Sequence, residues 1–337
     1  MKRALQRGLL LLTLLALAAG GAAFWWLERP LPLRTPKVEL SIEPGTAPRD
    51  VAQAWVDAGV QTSPRLLYEW FRWSRQARRI RAGSYEIETG TTPAQLLRKL
   101  VLGDVTMATV RLIEGWTFRQ FRDELRKAES LKPATAAMSD AEVMEAIGAP
   151  GRSPEGRFFP DTYVYSKGST DLEVLRRAHR AMQQRLEAAW AERAPDTPLR
   201  SADEALTLAS IVEKETGRAD DRGLVAGVFV NRLRVGMPLQ TDPTVIYGLG
   251  DAFDGNLRKR DLQADSPYNT YLRAGLPPTP IAMPGKDALM ATVRPTPTRA
   301  LYFVARGGGA SVFSESLADH NRAVNKFQRG TSRSTEP

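Results

Sequence analysis

Hydrophobic residues are concentrated in one unbroken run near the start of the chain. Residues 8–27 carry no charge, and three cations precede them. A helix of about 20 apolar residues crosses the roughly 30 Å hydrocarbon core of a bilayer. The pattern therefore predicts a transmembrane helix at 9–27 after a tail at 1–8, which lies in the cytoplasm because cations favour that side of the membrane.

A cleaved signal peptide is the alternative interpretation of the same run. Small residues at 18–23 offer a site for a signal peptidase. The run is longer than the apolar segment of a usual signal peptide, about 7–15 residues, which favours an uncleaved anchor. Both interpretations place residues 30–337 outside the cytoplasm.

A repeated pattern follows a proline-rich juxtamembrane linker at 28–36. Residues 42–48 read Ile-Glu-Pro-Gly-Thr-Ala-Pro, and residues 87–93 read Ile-Glu-Thr-Gly-Thr-Thr-Pro. Each copy follows a short alternating stretch and precedes apolar residues at helical spacing, so each predicts a strand, a turn and a helix with Pro in its first turn. Together with a helix between the two copies, these units predict a small α+β domain at 37–108.

The residues from 109 to 327 predict a second and larger domain of mixed α+β character. Loops dense in Pro, Gly, Asn or aromatic residues are expected at 154–163 and 238–285. The polar residues 328–337 are expected to be disordered. The fold class is therefore α+β throughout, after one transmembrane helix. The predicted strands lie at 109–113, 301–305 and 311–313, and the predicted helices at 117–127, from 139, and at 171–193, 201–217, 223–234 and 314–327.

The amino-acid composition excludes several classes of functional site. The 337 residues include no Cys and only two His, so disulfides, thiol nucleophiles and zinc–thiolate sites are excluded, and no metal or cofactor is expected. The net charge of +9 indicates an anionic neighbour. Because the chain is predicted to be exported, a membrane surface or an envelope polymer is favoured and nucleic acid is not expected as a partner.

Two glutamates flank the end of the predicted helix at 201–217. On a helical wheel, Glu213 and Glu215 fall on opposite edges of one broad apolar face. Burial of a carboxyl group raises its pKa and makes it a proton donor near neutral pH. Periodicity does not choose between the two, and a pair of surface glutamates before a helix stop at Gly217 is the competing interpretation.

The loop-rich tract that follows offers groups that suit a sugar. Residues 239–248 and 266–271 interleave amide, hydroxyl and aromatic side chains, although such residues also build ordinary turns. Six of them are candidates for holding sugars or stabilising positive charge at a sugar C1 atom, and Asp242 could equally belong to a turn. The candidates are Gln240, Asp242, Tyr247, Tyr268, Asn269 and Tyr271.

Seven motifs in order resemble the endolytic murein transglycosylase (YceG-like) family, and the likeness extends over residues 1–327. They are 208–217, 228–233, 239–248, 268–271, 275–278, 282–285 and 301–304 with His320-Asn321, while Glu155-Gly156 and 159–163 also match the family's motifs. The resemblance implies an inner-membrane anchor, a LysM-like subdomain at 37–108 and a catalytic domain at 109–327 that cleaves peptidoglycan glycan within the strand. It also implies Glu215, which Thr216 follows, as the catalytic residue.

The implied reaction needs one carboxyl group. Glu215 would protonate the glycosidic oxygen of a MurNAc–GlcNAc link, and the C6 hydroxyl of the same MurNAc would then attack, giving a 1,6-anhydro end. Such cleavage would terminate glycan elongation, and the resemblance implies glycan-polymerising penicillin-binding proteins as partners. Two alternatives remain open: a hydrolase that pairs Glu215 with Asp242 or Glu213, and a non-enzymatic glycan-binding scaffold for cell-wall synthases.

Overall fold

The computed structural model describes residues 2–329, which divide into two compact units. Of the described residues, the first unit comprises 2–109, Glu129–Lys132 and Val164–Ser169. The second comprises Val110–Ala128, Pro133–Tyr163 and 170–329. The described residues combine helices with three short two-stranded sheets, which confirms the predicted α+β class.

The first unit begins with the long helix α1 (Lys2–Glu28). Its stretch Gly8–Glu28 is apolar and long enough to cross a membrane, as predicted. The chain then enters the unit at once, because Leu31 is buried and its N–H donates to the carbonyl oxygen of Thr91 at 2.8 Å. The anchor is therefore joined to the folded unit by only a few residues.

The repeated pattern forms the rest of this unit as predicted. Strands β1 (Lys37–Ile42) and β2 (Gly83–Glu88) pair antiparallel, with Lys37 opposite Glu88. Between them lie α2 (Pro48–Ala58) and α3 (Pro64–Trp73), and α4 (Pro93–Leu102) follows β2. Trp55, Phe71 and Tyr85 are fully buried between these elements. Helix α4 ends, as predicted, at Gly103, which adopts the left-handed conformation with φ +73°.

The second unit is mainly helical. Strands β3 (Met107–Arg111) and β4 (Thr162–Ser166) pair in a two-stranded sheet, and each contains a point at which the chain passes between the two units. The terminal hairpin of β5 (Tyr302–Ala305) and β6 (Ser311–Ser314) belongs to the second unit. Its helices are α5 (Phe118–Lys127), α6 (Asp140–Ala146), α7 (Asp171–Ala191), α8 (Ala202–Glu215), α9 (Ala219–Arg234), α10 (Asp242–Leu249), α11 (Lys259–Gln263), α12 (Lys286–Val293) and α13 (Leu317–Val324).

Helix α8 lies at the centre of this unit. It packs against α7, α9, α10 and α12, and every residue from Ala205 to Val212 is buried. Two hydroxyl groups in this stretch are satisfied locally: Thr207 donates to the carbonyl oxygen of Asp203, and Ser210 to that of Thr207. The prediction of a single apolar face was therefore too narrow, because neighbours surround the helix on all sides.

Several predicted boundaries were wrong. Helix α8 ends at Glu215, and the extended residue Thr216 caps it, whereas Gly217 has no positive φ and does not act as a left-handed stop. Strand β4 lies partly in the segment predicted as loop 154–163. Helices α10 and α11 lie in the tract predicted as loop-rich. Of the tail predicted to be disordered, residues 330–337 lie outside the described residues.

Candidate active site

Glu215 is the last residue of α8 and is half-buried. Because the preceding residues of the helix are enclosed by neighbouring helices, the end of the helix brings this carboxyl group to the edge of the core. Burial raises the pKa of Glu215 above its ordinary value. A raised pKa increases the fraction of the carboxyl group that carries a proton and can act as a general acid.

Thr241 holds the carboxyl group of Glu215 in place. Its hydroxyl donates a hydrogen bond of 2.6 Å to Oε2 of Glu215, and only 2% of Thr241 is exposed. Thr241 is itself fixed by Thr270, whose Oγ1 accepts from the Thr241 N–H at 3.2 Å. The hydrogen bond from the Thr241 hydroxyl favours the charged form of Glu215 and partly opposes the effect of burial on the pKa of Glu215.

Asp242 and Tyr271 form a second pair beside Glu215. The Tyr271 hydroxyl donates to Oδ1 of Asp242 at 2.6 Å. Burial raises the pKa of Tyr271, and the Asp242 carboxylate raises it further, so the phenol keeps its proton. The negative charge of Asp242 also raises the pKa of Glu215, because a nearby carboxylate disfavours a second negative charge.

Arg232 of α9 is a buried cation that acts on Glu215 and fixes the backbone near Gln240. Its buried guanidinium donates to the carbonyl oxygens of Leu301 and Leu239, each at 2.7 Å. The second of these bonds fixes the chain just before Gln240. The positive charge of Arg232 acts on Glu215 in the opposite sense to Asp242 and lowers its pKa.

Glu213 points to a different place and has a different partner. Its Oε2 accepts the N–H of Gly285 at 2.9 Å, and Gly285 is the residue that caps the start of α12. Burial raises the pKa of Glu213 as well, and the neighbouring Glu114 adds to that effect. A carboxyl group at a helix N-terminus satisfies an otherwise unpaired N–H group. The geometry therefore separates the two glutamates that periodicity left equivalent.

Three of the other predicted site residues are Gln240, which is next to Thr241, and the tyrosines Tyr247 and Tyr268. Gln240 adjoins Thr241 and is exposed, with its backbone in the left-handed region at φ +49°, a strained conformation that is typical of functional sites. Tyr247 of α10 and Tyr268 lie together, with ring centroids 4.9 Å apart. The Tyr268 hydroxyl is within 2.8 Å of the Thr279 hydroxyl.

Asn269 is 1% exposed, and its side chain is used inside the loop. Its amide nitrogen donates to the carbonyl oxygens of Leu262 and Ala264, and its amide oxygen accepts from the Tyr271 N–H at 3.0 Å. These bonds favour a role in holding Tyr271 over direct contact with a sugar.

Glu155 is a functional candidate that sequence reasoning matched to a family motif but assigned no role. It is 5% exposed, its Oε1 accepts the Phe118 N–H at 3.0 Å, and its Oε2 accepts the Tyr247 hydroxyl at 3.1 Å. Burial raises the pKa of Glu155 from 4.5 to about 7. The sequence signal for Glu155 was the Glu155-Gly156 pair. Gly156 has φ +77°, and a Cβ atom at this position would lie 2.5 Å from Pro280, which favours glycine there.

A cavity of about 840 Å³ opens above Glu155. Its walls come from the first turn of α5, the loop at 153–155, and α10 with the residues that follow it. Its lining residues are Thr117, Phe118, Arg119, Gln120, Asp140, Ser153, Pro154, Glu155, Lys214, Pro243, Ile246, Tyr247, Gly250, Asp251, Phe253, Tyr268 and Ile281.

Comparison with known proteins identifies relatives of this chain. The endolytic murein transglycosylase of Bacillus subtilis strain 168 is 41% identical over 174 residues, which cover 51% of this chain and 48% of that protein. The endolytic murein transglycosylase of Streptococcus pneumoniae strain D39 is 27% identical over 353 residues, covering 93% of this chain and 63% of that protein. The chain thus spans about half the length of the first relative and less than two thirds of the second.

Structural comparison and a family match agree with these relatives. A crystal structure of a protein described as yceG-like, from Listeria monocytogenes, is similar to this chain with a TM-score of 0.53 and 28% identity, covering 85% of this chain and 98% of that chain. A sequence model of the YceG-like family matches residues 40–326. Because that match covers most of the chain, this protein belongs to the YceG-like family.

Proposed function

We propose that this protein is a membrane-anchored lytic transglycosylase that cleaves the MurNAc–GlcNAc bond within peptidoglycan glycan strands. The observation that carries the proposal is the carboxyl group of Glu215, which ends a buried helix, has a raised pKa and accepts a hydrogen bond from Thr241. Membership of the YceG-like family and the similarity to two proteins named endolytic murein transglycosylases support the same reaction.

Glu215 acts first as a general acid. Its proton passes to the glycosidic oxygen, the C1–O bond of MurNAc breaks, and the GlcNAc end leaves as an alcohol. The raised pKa keeps the proton on Glu215 until the bond is ready to break. Thr241 orients the carboxyl group towards the scissile oxygen.

Glu215 then acts as a general base. The carboxylate formed in the first step takes the proton of the C6 hydroxyl, and O6 attacks C1 of the same ring. The product carries a 1,6-anhydro-MurNAc end, and no water is consumed. Because nucleophile and electrophile belong to one ring, the second step has a small entropic barrier.

The Asp242–Tyr271 pair stabilises the positive charge that develops at C1. Asp242 is exposed and directly follows Thr241, and its negative charge acts on Glu215, so its carboxylate lies near the proposed catalytic carboxyl group. Tyr271 keeps Asp242 oriented through its 2.6 Å hydrogen bond. Placing a fixed negative charge near a developing cation lowers the barrier.

The first unit supports the same assignment. We propose that α1 anchors the chain in the inner membrane with its N-terminus in the cytoplasm, so that both units lie on the outer side. The strand–turn–helix repeats around β1 and β2 fit a LysM-like, glycan-binding subdomain. We expect glycan synthases of the penicillin-binding class as partners, because strand cleavage near the membrane acts on newly made glycan.

Product analysis tests the proposal. Uncrosslinked glycan strands are incubated with wild-type protein, Glu215→Gln and Glu213→Gln, and the released ends are identified by mass spectrometry. We expect anhydro ends from the wild type and a loss of about 10²–10⁴-fold in rate for Glu215→Gln, the usual contribution of general acid–base catalysis. Glu213→Gln is the matched control and retains activity, because Glu213 binds the start of α12.

A hydrolase is the second candidate, since the interaction of Glu215 with Asp242 offers two carboxyl groups. A hydrolase would activate water, and its product would carry a reducing MurNAc end that is heavier by one water. The same mass spectra therefore separate the two reactions. A reducing end as the main product would exclude the transglycosylase mechanism.

A further inference from the structure

The cavity above Glu155 lies next to the proposed catalytic residue but does not include it. Two pairs of consecutive residues connect them: Lys214 lines the cavity and Glu215 follows it, while Pro243 lines the cavity and Asp242 precedes it. Consecutive residues are about 3.8 Å apart along the chain. The two segments that carry Glu215 and Asp242 therefore each contribute a residue to the cavity wall, so the cavity borders the proposed catalytic residues.

The lining of the cavity fits a neutral ligand with many hydroxyl groups. Aromatic side chains form its walls, and among its charged side chains Arg119 is ion-paired with Asp251. The remaining cation, Lys214, donates to the carbonyl oxygen of Gly115. Aromatic walls with a few fixed polar groups are typical of ligand sites of about 300–1,000 Å³. A strongly anionic polymer would find no excess of positive charge here.

The cavity is held open by bonds between its walls. The Arg119–Asp251 pair joins the first turn of α5 to the segment after α10 at the rim. At the floor, Glu155 joins the same two walls, since it accepts from the Phe118 N–H and from the Tyr247 hydroxyl. The site is therefore formed before any ligand arrives.

We propose that this cavity is a glycan subsite that binds a sugar residue of the strand away from the bond that is cleaved, and that Glu155 is the residue that positions Tyr247 within it. The inference rests on the proposed function for the identity of the glycan. Cleavage within a strand requires that sugars be bound beyond the two that share the scissile bond. The cavity supplies such a place on one side of Glu215.

Binding to an inactive protein tests the subsite separately from the chemistry. Full-length Glu215→Gln protein in nanodiscs is titrated with uncrosslinked peptidoglycan oligosaccharides of four and eight sugars. Ile246→Trp fills the cavity, and Phe253→Ala removes part of its wall from a partly exposed position where folding is little affected. We expect each variant to weaken binding of the eight-sugar strand at least tenfold and that of the four-sugar strand less.

Arg200→Ala is the matched control, since Arg200 lines a different surface pocket of the same unit. It should leave both affinities unchanged. Unchanged affinity of a folded Ile246→Trp protein for the longer strand, or an equal loss in Arg200→Ala, would overturn the subsite. If the wild type releases no anhydro ends while the cavity variants still lose binding, the transglycosylase function fails and the subsite stands.

The role of Glu155 has its own readout in the active enzyme. Glu155→Gln keeps an acceptor for the Phe118 N–H and a partner for Tyr247, whereas Glu155→Ala removes both. We expect Glu155→Ala to raise KM for long strands about tenfold with little change in kcat, and Glu155→Gln to restore most of the KM. A fall in kcat at unchanged KM would contradict a positioning role.

Discussion

Thr241 determines how readily Glu215 releases its proton. Burial alone raises the pKa of Glu215, and the bond from the Thr241 hydroxyl pulls that pKa back towards its ordinary value. Thr241 therefore keeps the pKa of Glu215 lower than burial alone would make it. Residue-scale chemistry here depends on one hydrogen bond between side chains 26 positions apart.

Thr241→Val tests this balance. Without the hydroxyl, the charged form of Glu215 loses its support, so the pKa of Glu215 rises. Activity, which is lost as pH rises through that pKa, should persist to higher pH than in the wild type. The carboxyl group is also less well oriented, and we expect kcat to fall about tenfold, equivalent to roughly 1.4 kcal/mol. The pH–rate profile is the measurement, and Thr241→Ser should restore it; an alkaline limb at unchanged pH would contradict the account.

Glu155 makes a second prediction, for stability. Its pKa is about 7 in the folded protein and 4.5 ordinarily, so between these values the folded state holds a proton that the unfolded state has released. Stability therefore falls as pH rises through this window, by about 3 kcal/mol for this group, and the loss is complete above its folded pKa. Glu155→Gln should flatten the dependence, measured by denaturant unfolding in detergent between pH 4.5 and 8. Parallel curves for both proteins would contradict it.

The sequence could predict the candidate residues but not their partners. A helical wheel shows that Glu213 and Glu215 border buried surface, and no pattern shows that one meets Gly285 and the other Thr241. Those contacts join segments 72 and 26 residues apart and depend on how α10 and α12 pack against α8. The family resemblance selected Glu215, and that choice stays a prediction for the Glu213→Gln and Glu215→Gln substitutions to test.

The ends of two helices test whether a glycine predicted to stop a helix does so. Gly103 ends α4 in the left-handed conformation, whereas Gly217 follows α8 without a positive φ. The same residue type therefore has different roles at the two positions.

Gly103→Ala and Gly217→Ala form a matched pair. The first places a Cβ atom in a left-handed residue and 2.8 Å from Arg81, and should destabilise the protein by about 1–2 kcal/mol. The second meets no atom within 4 Å and should be neutral or stabilising by up to about 1 kcal/mol. Thermal unfolding of both variants is the measurement. Equal losses at the two positions would show that Gly217 also acts as a helix stop.

Short sequence patterns predicted helices and strands well where several neighbouring residues indicated the same element. The strand–turn–helix repeats in the first unit were confirmed because turn glycines, an N-terminal proline and apolar spacing all agree there. Helix α10 was missed because it has only eight residues and contains a glycine. Its start was nonetheless marked by Thr241-Asp242-Pro243, since Pro is favoured in the first turn of a helix.

The apolar N-terminal helix determines where the whole molecule is held. The stretch Gly8–Glu28 passes directly into a folded unit, and Trp26 packs against the core of that unit. We therefore expect the protein to stay with carbonate-washed membranes and its N-terminus to be uncleaved. Deletion of residues 2–22 should release it. A mature N-terminus within or just after residues 18–23 would support the signal-peptide interpretation instead.

The mass of the glycan ends released by wild-type protein, Glu215→Gln and Glu213→Gln tests directly whether Glu215 carries out the transglycosylase reaction. We expect 1,6-anhydro-MurNAc ends from the wild type and from Glu213→Gln, and essentially none from Glu215→Gln. Reducing ends that are one water heavier would exclude that reaction, and full activity in Glu215→Gln would exclude Glu215 as the acid.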